Sequence, residues 1–202
     1  MRLYSYVVVH DTGFAPNPFW GYCTLANCKP AIRRTAQVED WVVGLSPKYA
    51  ENRLIYAMRV EEILSHDAYF ADARFGPKKP DYSQGQVVCK SGDNIYEPRS
   101  EGGFHQLQSM HSNGTDENPW TKAHDLSGKK VLVSKTFCYF GSQAISLPPD
   151  LDCLKVGRAH RCRFSEDTIS LFLEFMSDKP VGVHAPPTHW PREDQSWKQA
   201  QP

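Results

Sequence analysis

VVVHDTGFAPNPFWGYCTLANCKPAIRR, residues 7–34, joins a buried strand, a stiffened aromatic loop and a cationic end in one continuous run. Tyr6 to Val9 is an apolar, largely β-branched segment of the kind that forms a fully buried strand. His10-Asp11-Thr12-Gly13 ends it with turn chemistry, since Asp and Thr can bond nearby backbone and Gly accepts positive φ. Phe14, Phe19, Trp20 and Tyr22 then alternate with Pro16, Asn17, Pro18 and Gly21, and Lys29, Arg33 and Arg34 follow. The prolines restrict φ, so rings and amide are presented in a stiff loop. Two readings of that loop stand side by side. In one it binds a nucleobase, with Phe19, Trp20 and Tyr22 as flat faces and Asn17 against the base edge. In the other its rings plug the open end of a small barrel.

The 202 residues fit one domain, with a barrel core over about 2–175, an irregular insertion at 90–127 and a loosely packed tail at 180–202. Basic and acidic residues balance at 23 each, which excludes a whole-molecule field drawing the chain to nucleic acid or to a membrane. Phosphate contacts must then come from local patches. Arg33, Arg34, Lys78, Lys79 and Arg161 are the cations placed for that role. No run is long enough for a membrane span, and no secretory signal is seen. Six cysteines read as reduced thiols, so a soluble cytoplasmic protein is expected.

Further along, short strands are expected at 41–45, 54–60, 86–89, 130–134 and 137–141, and short helices at 61–69 and around 151–154. Residues 90–127 carry no helical period and at most one short strand. The clearest helix is 166–175, with Ser165 as N-cap and Glu166-Asp167 in the first turn. These elements make an α+β chain: a compact mixed β-barrel with flanking short helices and a long irregular loop.

The ordered blocks YSYVVVHDTGFAPNPFWGYCTLANCKP, EDWVVGL, RLIYAMRVEEILSHDAYFAD and VLVSKTFCYFG resemble the nucleotide modification associated domain family, type two. The order of turn, acidic pair, apolar strand and RLIYAMRV is also similar to the wider PUA, EVE and YTH group of barrels. In that group glycine usually stands where this chain has Glu39. The resemblance implies a PUA-like barrel that recognises or processes a modified base or nucleotide. It also implies an aromatic pocket at Phe19, Trp20 and Trp41.

Three kinds of chemistry were open to these residues. Cys23 and Cys28 are spaced too widely for a usual zinc knuckle, and the Cys153–His160–Cys162 set lacks a fourth ligand, so no metal is expected. His10, Asp93 and His111 can form an acid–base group, with a carboxylate orienting a histidine. Walker, dinucleotide-binding and Gly-x-Ser-x-Gly motifs are absent, and no cofactor is expected. Binding or processing of a modified base in DNA or RNA is the leading expectation. A nucleotide-modifying enzyme using His and Asp, and a protein-interaction module, are the alternatives. The expected partner is accordingly a nucleic acid or nucleotide, with no membrane.

Overall fold

The computed structural model describes residues 1–201. In chain order its elements are β1 (Leu3–Val7), β2 (Cys23–Leu25), α1 (Pro30–Thr35), β3 (Trp41–Leu45), β4 (Leu54–Arg59), β5 (Glu62–Leu64) and α2 (His66–Ala71). There follow α3 (Val87–Lys90), β6 (Tyr96–Pro98), β7 (Phe104–Gln106), α4 (Pro119–Leu126), β8 (Val131–Ser134) and β9 (Phe137–Tyr139). The last are β10 (His160–Arg161), α5 (Glu166–Ser177) and β11 (Gly182–Val183).

The main sheet runs β10-β1-β3-β4-β9-β11, with β1–β3 and β9–β11 parallel and the other pairs antiparallel. A second sheet, β2-β8-β5, is antiparallel throughout, and β6-β7 is a separate hairpin. Side chains of the main sheet alternate between two buried faces, as the period of a strand requires. Leu3, Trp41, Val43, Ala57 and Cys138 point to one face, where Phe172 and Met176 of α5 and Leu151 and Leu154 cover them. Tyr4, Tyr6, Val42, Met58, Phe137 and Tyr139 point to the other, against Cys23, Leu25 and Leu132 of the second sheet. Burial on both faces is why these strands read as unbroken apolar runs.

The α+β class expected from the sequence is observed, but the strands do not close into a barrel. Each edge of the main sheet is a strand of two residues, and the second sheet meets it through side chains rather than a hydrogen-bonded ladder.

Residues 61–69, expected as a helix, divide into β5 and α2. Pairing of Glu62–Leu64 with β8 overrides local propensity, and Ser65 caps α2 by accepting from Ala68 N–H. Where a strand was expected at 86–89, residues 87–90 form helix α3, with Val88 packed against the C-terminal segment and its N–H donating to Ser196 Oγ at 3.2 Å. The 90–127 stretch holds the β6–β7 hairpin and α4, so it is far more ordered than its composition indicated. The tail is not loose either, because Trp190 and Trp197 are buried in a cluster with Phe19 and Val88.

Candidate functional site

A cleft of about 890 Å3 opens where β1 runs into the following turn, beside the start of α1. Tyr6, Val8, Phe14 and Ile32 make apolar walls, and His10, Cys28, Lys29, His111, His124 and His160 bring polar groups to it. Its size suits a small organic ligand. The aromatic loop and β2 deliver Cys28 to this cleft at the corner between β2 and α1. Cys28 and Lys29 have φ of +56° and +39°, and Pro30 then starts the helix. A left-handed corner in two adjacent residues with side chains is uncommon and turns the Cys28 thiol to the cleft side of the corner.

Facing the thiol is His111, whose Nε2 lies 3.6 Å from Cys28 Sγ. Its other nitrogen, Nδ1, lies 2.6 Å from Asp125 Oδ2. A carboxylate only accepts, so Nδ1 carries the hydrogen and Nε2 is turned to the sulfur. Asp125 is fully buried on α4, a helix begun by Asn118, whose side chain accepts from Trp120 and Thr121 N–H. The carboxylate is held from two further directions, by Cys28 N–H at 2.7 Å and the Tyr96 hydroxyl at 2.8 Å. Thr121 Oγ1 and Gln106 Nε2 donate to the His111 carbonyl at 2.6 and 3.3 Å, and the Phe14 ring meets the imidazole edge-on at 4.7 Å. Burial lowers the His111 imidazole, but its bonds to Asp125 and Cys28 outweigh burial and raise it from 6.5 to about 10. Burial likewise pushes the Asp125 carboxyl up, and the bond from His111 prevails, leaving it below its ordinary value. A thiol, a histidine and an orienting carboxylate in series are the parts of a nucleophile–base pair with its positioning group.

Arg33 binds this arrangement together from behind. Its guanidinium is fully buried and donates to the carbonyls of Cys28 (2.8 Å), Lys130 (2.8 Å) and Asp125. Burial lowers it to about 10. It is a strut, and the phosphate role expected for it has no solvent to work in. Lys78 is buried as well, donating to Asn17 Oδ1 at 2.5 Å and to the Asn17 and Tyr22 carbonyls. Arg34 and Arg161 are exposed, while half-buried Lys79 lies over the Phe70 ring at 3.6 Å.

The expected base-binding residues do not share a pocket. Asn17 and Phe19 are fully buried, Asn17 bonding the Gly13 and Ser91 carbonyls and Phe19 packing on Trp190 at 5.3 Å. Trp41 lies on the α5 face of the main sheet against Phe172, opposite the face of Tyr6 and Val8. Trp20 and Tyr22 are partly exposed, Tyr22 packing on Phe75. The buried part of the loop is thus a plug, with Phe14 and Phe19 packed among apolar neighbours.

Of the expected acid–base group, His10 and His111 line the same cleft. Asp93 is absent from it, buried with Thr24 and Tyr69, whose hydroxyls both donate to it at 2.7 Å. Asp125 takes the place assigned to Asp93. The pairing of Cys28 with His111 spans 83 positions, so no local spacing announces it. The Asn118-Pro119 start of α4 was the one signal that could have placed Asp125 on a helix.

Ligand atoms of Cys28, His111 and Asp125 lie within 4.8 Å of one another, the geometry a metal ion would need. The donor set fits a metal poorly, since both Asp125 oxygens already accept hydrogen bonds and His111 Nδ1 is committed to one of them. Among the described residues no helix is long and apolar enough to cross a membrane. All six cysteines are free thiols.

A family model described as Nucleotide modification associated domain 2 matches residues 1–194. No curated protein and no solved structure matches the chain.

Proposed function

This chain belongs to the nucleotide modification associated domain 2 family, and on that premise we propose that it holds a base or nucleotide in the cleft beside β1 and processes it there. The observation that carries this reading is the meeting, in one cleft of about 890 Å3, of apolar walls with a histidine oriented by a buried carboxylate. Tyr6, Val8, Phe14 and Ile32 suit the faces of a heterocycle, and His111 serves as the acid–base group. Lys29 supplies positive charge at the wall, held by the Val7 carbonyl at 3.4 Å and over the Tyr6 ring at 4.6 Å. At the rim, Trp120 is 74 % exposed and stacks on His124, with an interplanar angle of 8° and one ring face left to solvent. A neighbouring base in a polynucleotide would extend that stack. The PUA-like aromatic pocket has no part in this reading, and the enzyme alternative gains from it.

The test is titration of nucleoside monophosphates and short single-stranded oligonucleotides into the wild type and Ala31→Trp. Ala31 is half-buried on the cleft wall, so an indole there fills the ligand's space without disturbing the core. We expect Ala31→Trp to weaken binding by at least about tenfold, a difference of about 1.4 kcal/mol. Unchanged affinity in that variant refutes the cleft as the site.

A further inference from the structure

We infer that Cys28 is a catalytic nucleophile and that the substrate carries an acyl group, an amide or ester carbonyl, which Cys28 takes up as a thioester. This inference rests on the cleft reading for the identity of what bears the carbonyl, but its chemistry stands on three side chains. Cys28 Sγ, His111 Nε2, His111 Nδ1 and Asp125 Oδ2 follow one another at 3.6 Å, across the ring, and at 2.6 Å. Cys28 borders the cleft and is half-buried, so its sulfur is sheltered from bulk water yet open to a ligand. Cys23, five residues earlier on β2, supplies the contrast. It is fully buried in the core between the sheets, and burial holds its thiol far above the ordinary range.

The step balances without a further reactant. Sγ attacks the carbonyl carbon as a thiolate, its proton residing on His111 Nε2. The new C–S bond forms as the bond from that carbon to the leaving nitrogen or oxygen breaks. The leaving group departs with the electron pair and receives the Nε2 proton. Water then attacks the thioester, passes a proton back to Nε2 and releases a carboxylic acid, which restores the thiolate. A proton donor beside the sulfur serves a leaving group that needs a proton, which amide and ester cleavage provides. Asp125 is a positioning residue: it never meets the substrate, and it keeps Nε2 turned to the sulfur.

The full chain is mixed with p-nitrophenyl acetate, and p-nitrophenolate release, intact mass and the acetylated peptide are read. We expect a burst of one p-nitrophenolate per chain, one acetyl group on Cys28, and its removal by neutral hydroxylamine. Cys28→Ser should lose the burst with an unchanged unfolding midpoint. His111→Gln should slow both acetylation and iodoacetamide alkylation of Cys28 roughly hundredfold at neutral pH. Acetylation confined to lysines or to the exposed Cys153 overturns the inference. So do equal rates in the wild type and His111→Gln. Protection of Cys28 from iodoacetamide by equimolar Zn2+, reversed by chelator, also overturns it by making the trio a metal site. Should His111→Gln fail to fold, the acetylated residue in the wild type decides alone. Competition by nucleotides separates the two proposals. A Cys28 burst that nucleotides leave untouched supports the acyl chemistry and removes the nucleotide reading, and nucleotide binding without a Cys28 burst does the reverse.

Discussion

A Cβ built on Gly128 would lie 2.3 Å from Arg33 Cζ and about as near both terminal nitrogens, so the guanidinium occupies the space a side chain would take. Because three carbonyls hold that guanidinium, it cannot swing aside cheaply. Gly128→Ala is therefore expected to lose about 1–3 kcal/mol of stability by overpacking. It should also slow alkylation of Cys28, whose carbonyl Arg33 holds. Chemical denaturation and iodoacetamide kinetics check the two effects, and a variant of unchanged stability would show that Arg33 is not fixed. Glu39 shows where sequence reading stops at a single position. It sits in the turn before β3 with φ of +77°, the backbone region that glycine tolerates best, and its residue type gives no hint of that turn. Arg33 shows the reverse. As a residue type it signals phosphate, and only its surroundings reveal a buried strut.

Elements with a strong period were legible one by one. Ser165 caps α5 by accepting from Thr168 N–H at 3.2 Å, and Phe172 and Met176 form its buried side. Phe172→Ala should lose about 3–5 kcal/mol by leaving a cavity against Trp41. Since that cavity lies across the main sheet from the cleft, Cys28 acetylation should keep its rate in the folded variant. Urea unfolding and the acetylation assay test the pair of expectations, and a stability loss under about 1 kcal/mol would mean the helix packs loosely. Elements whose pairing partner is distant were not legible. β5 became a strand because β8 lies beside it, and α3 became a helix although its Val-Val start favours a strand.

Across the whole molecule, two histidines bend the stability profile in opposite directions. Burial, and then the positive charge of Arg33, lower His66 from 6.5 to about 4. Between those values the unfolded chain binds a proton that the folded chain refuses, so stability falls as pH drops from 6.5 toward 4. His111 keeps its proton up to about 10 when folded and near 6.5 when unfolded, so its contribution is whole below 6.5 and fades as pH rises toward 10. Equilibrium unfolding across that range should show a maximum near pH 6.5, and His111→Gln should flatten its alkaline limb. An alkaline limb unchanged in that variant would remove the Asp125 pair as a source of stability. By itself the sequence determined the four inner strands of the main sheet, helix α5 and the family, because local patterning and motif order are written in adjacent residues. Tertiary structure alone decided that the sheets stay open, that the buried part of the aromatic loop is a plug, and that Cys28, His111 and Asp125 meet. Those outcomes depend on contacts between residues far apart in the chain, where burial and mutual distance, which no spacing encodes, choose between a pocket and a core.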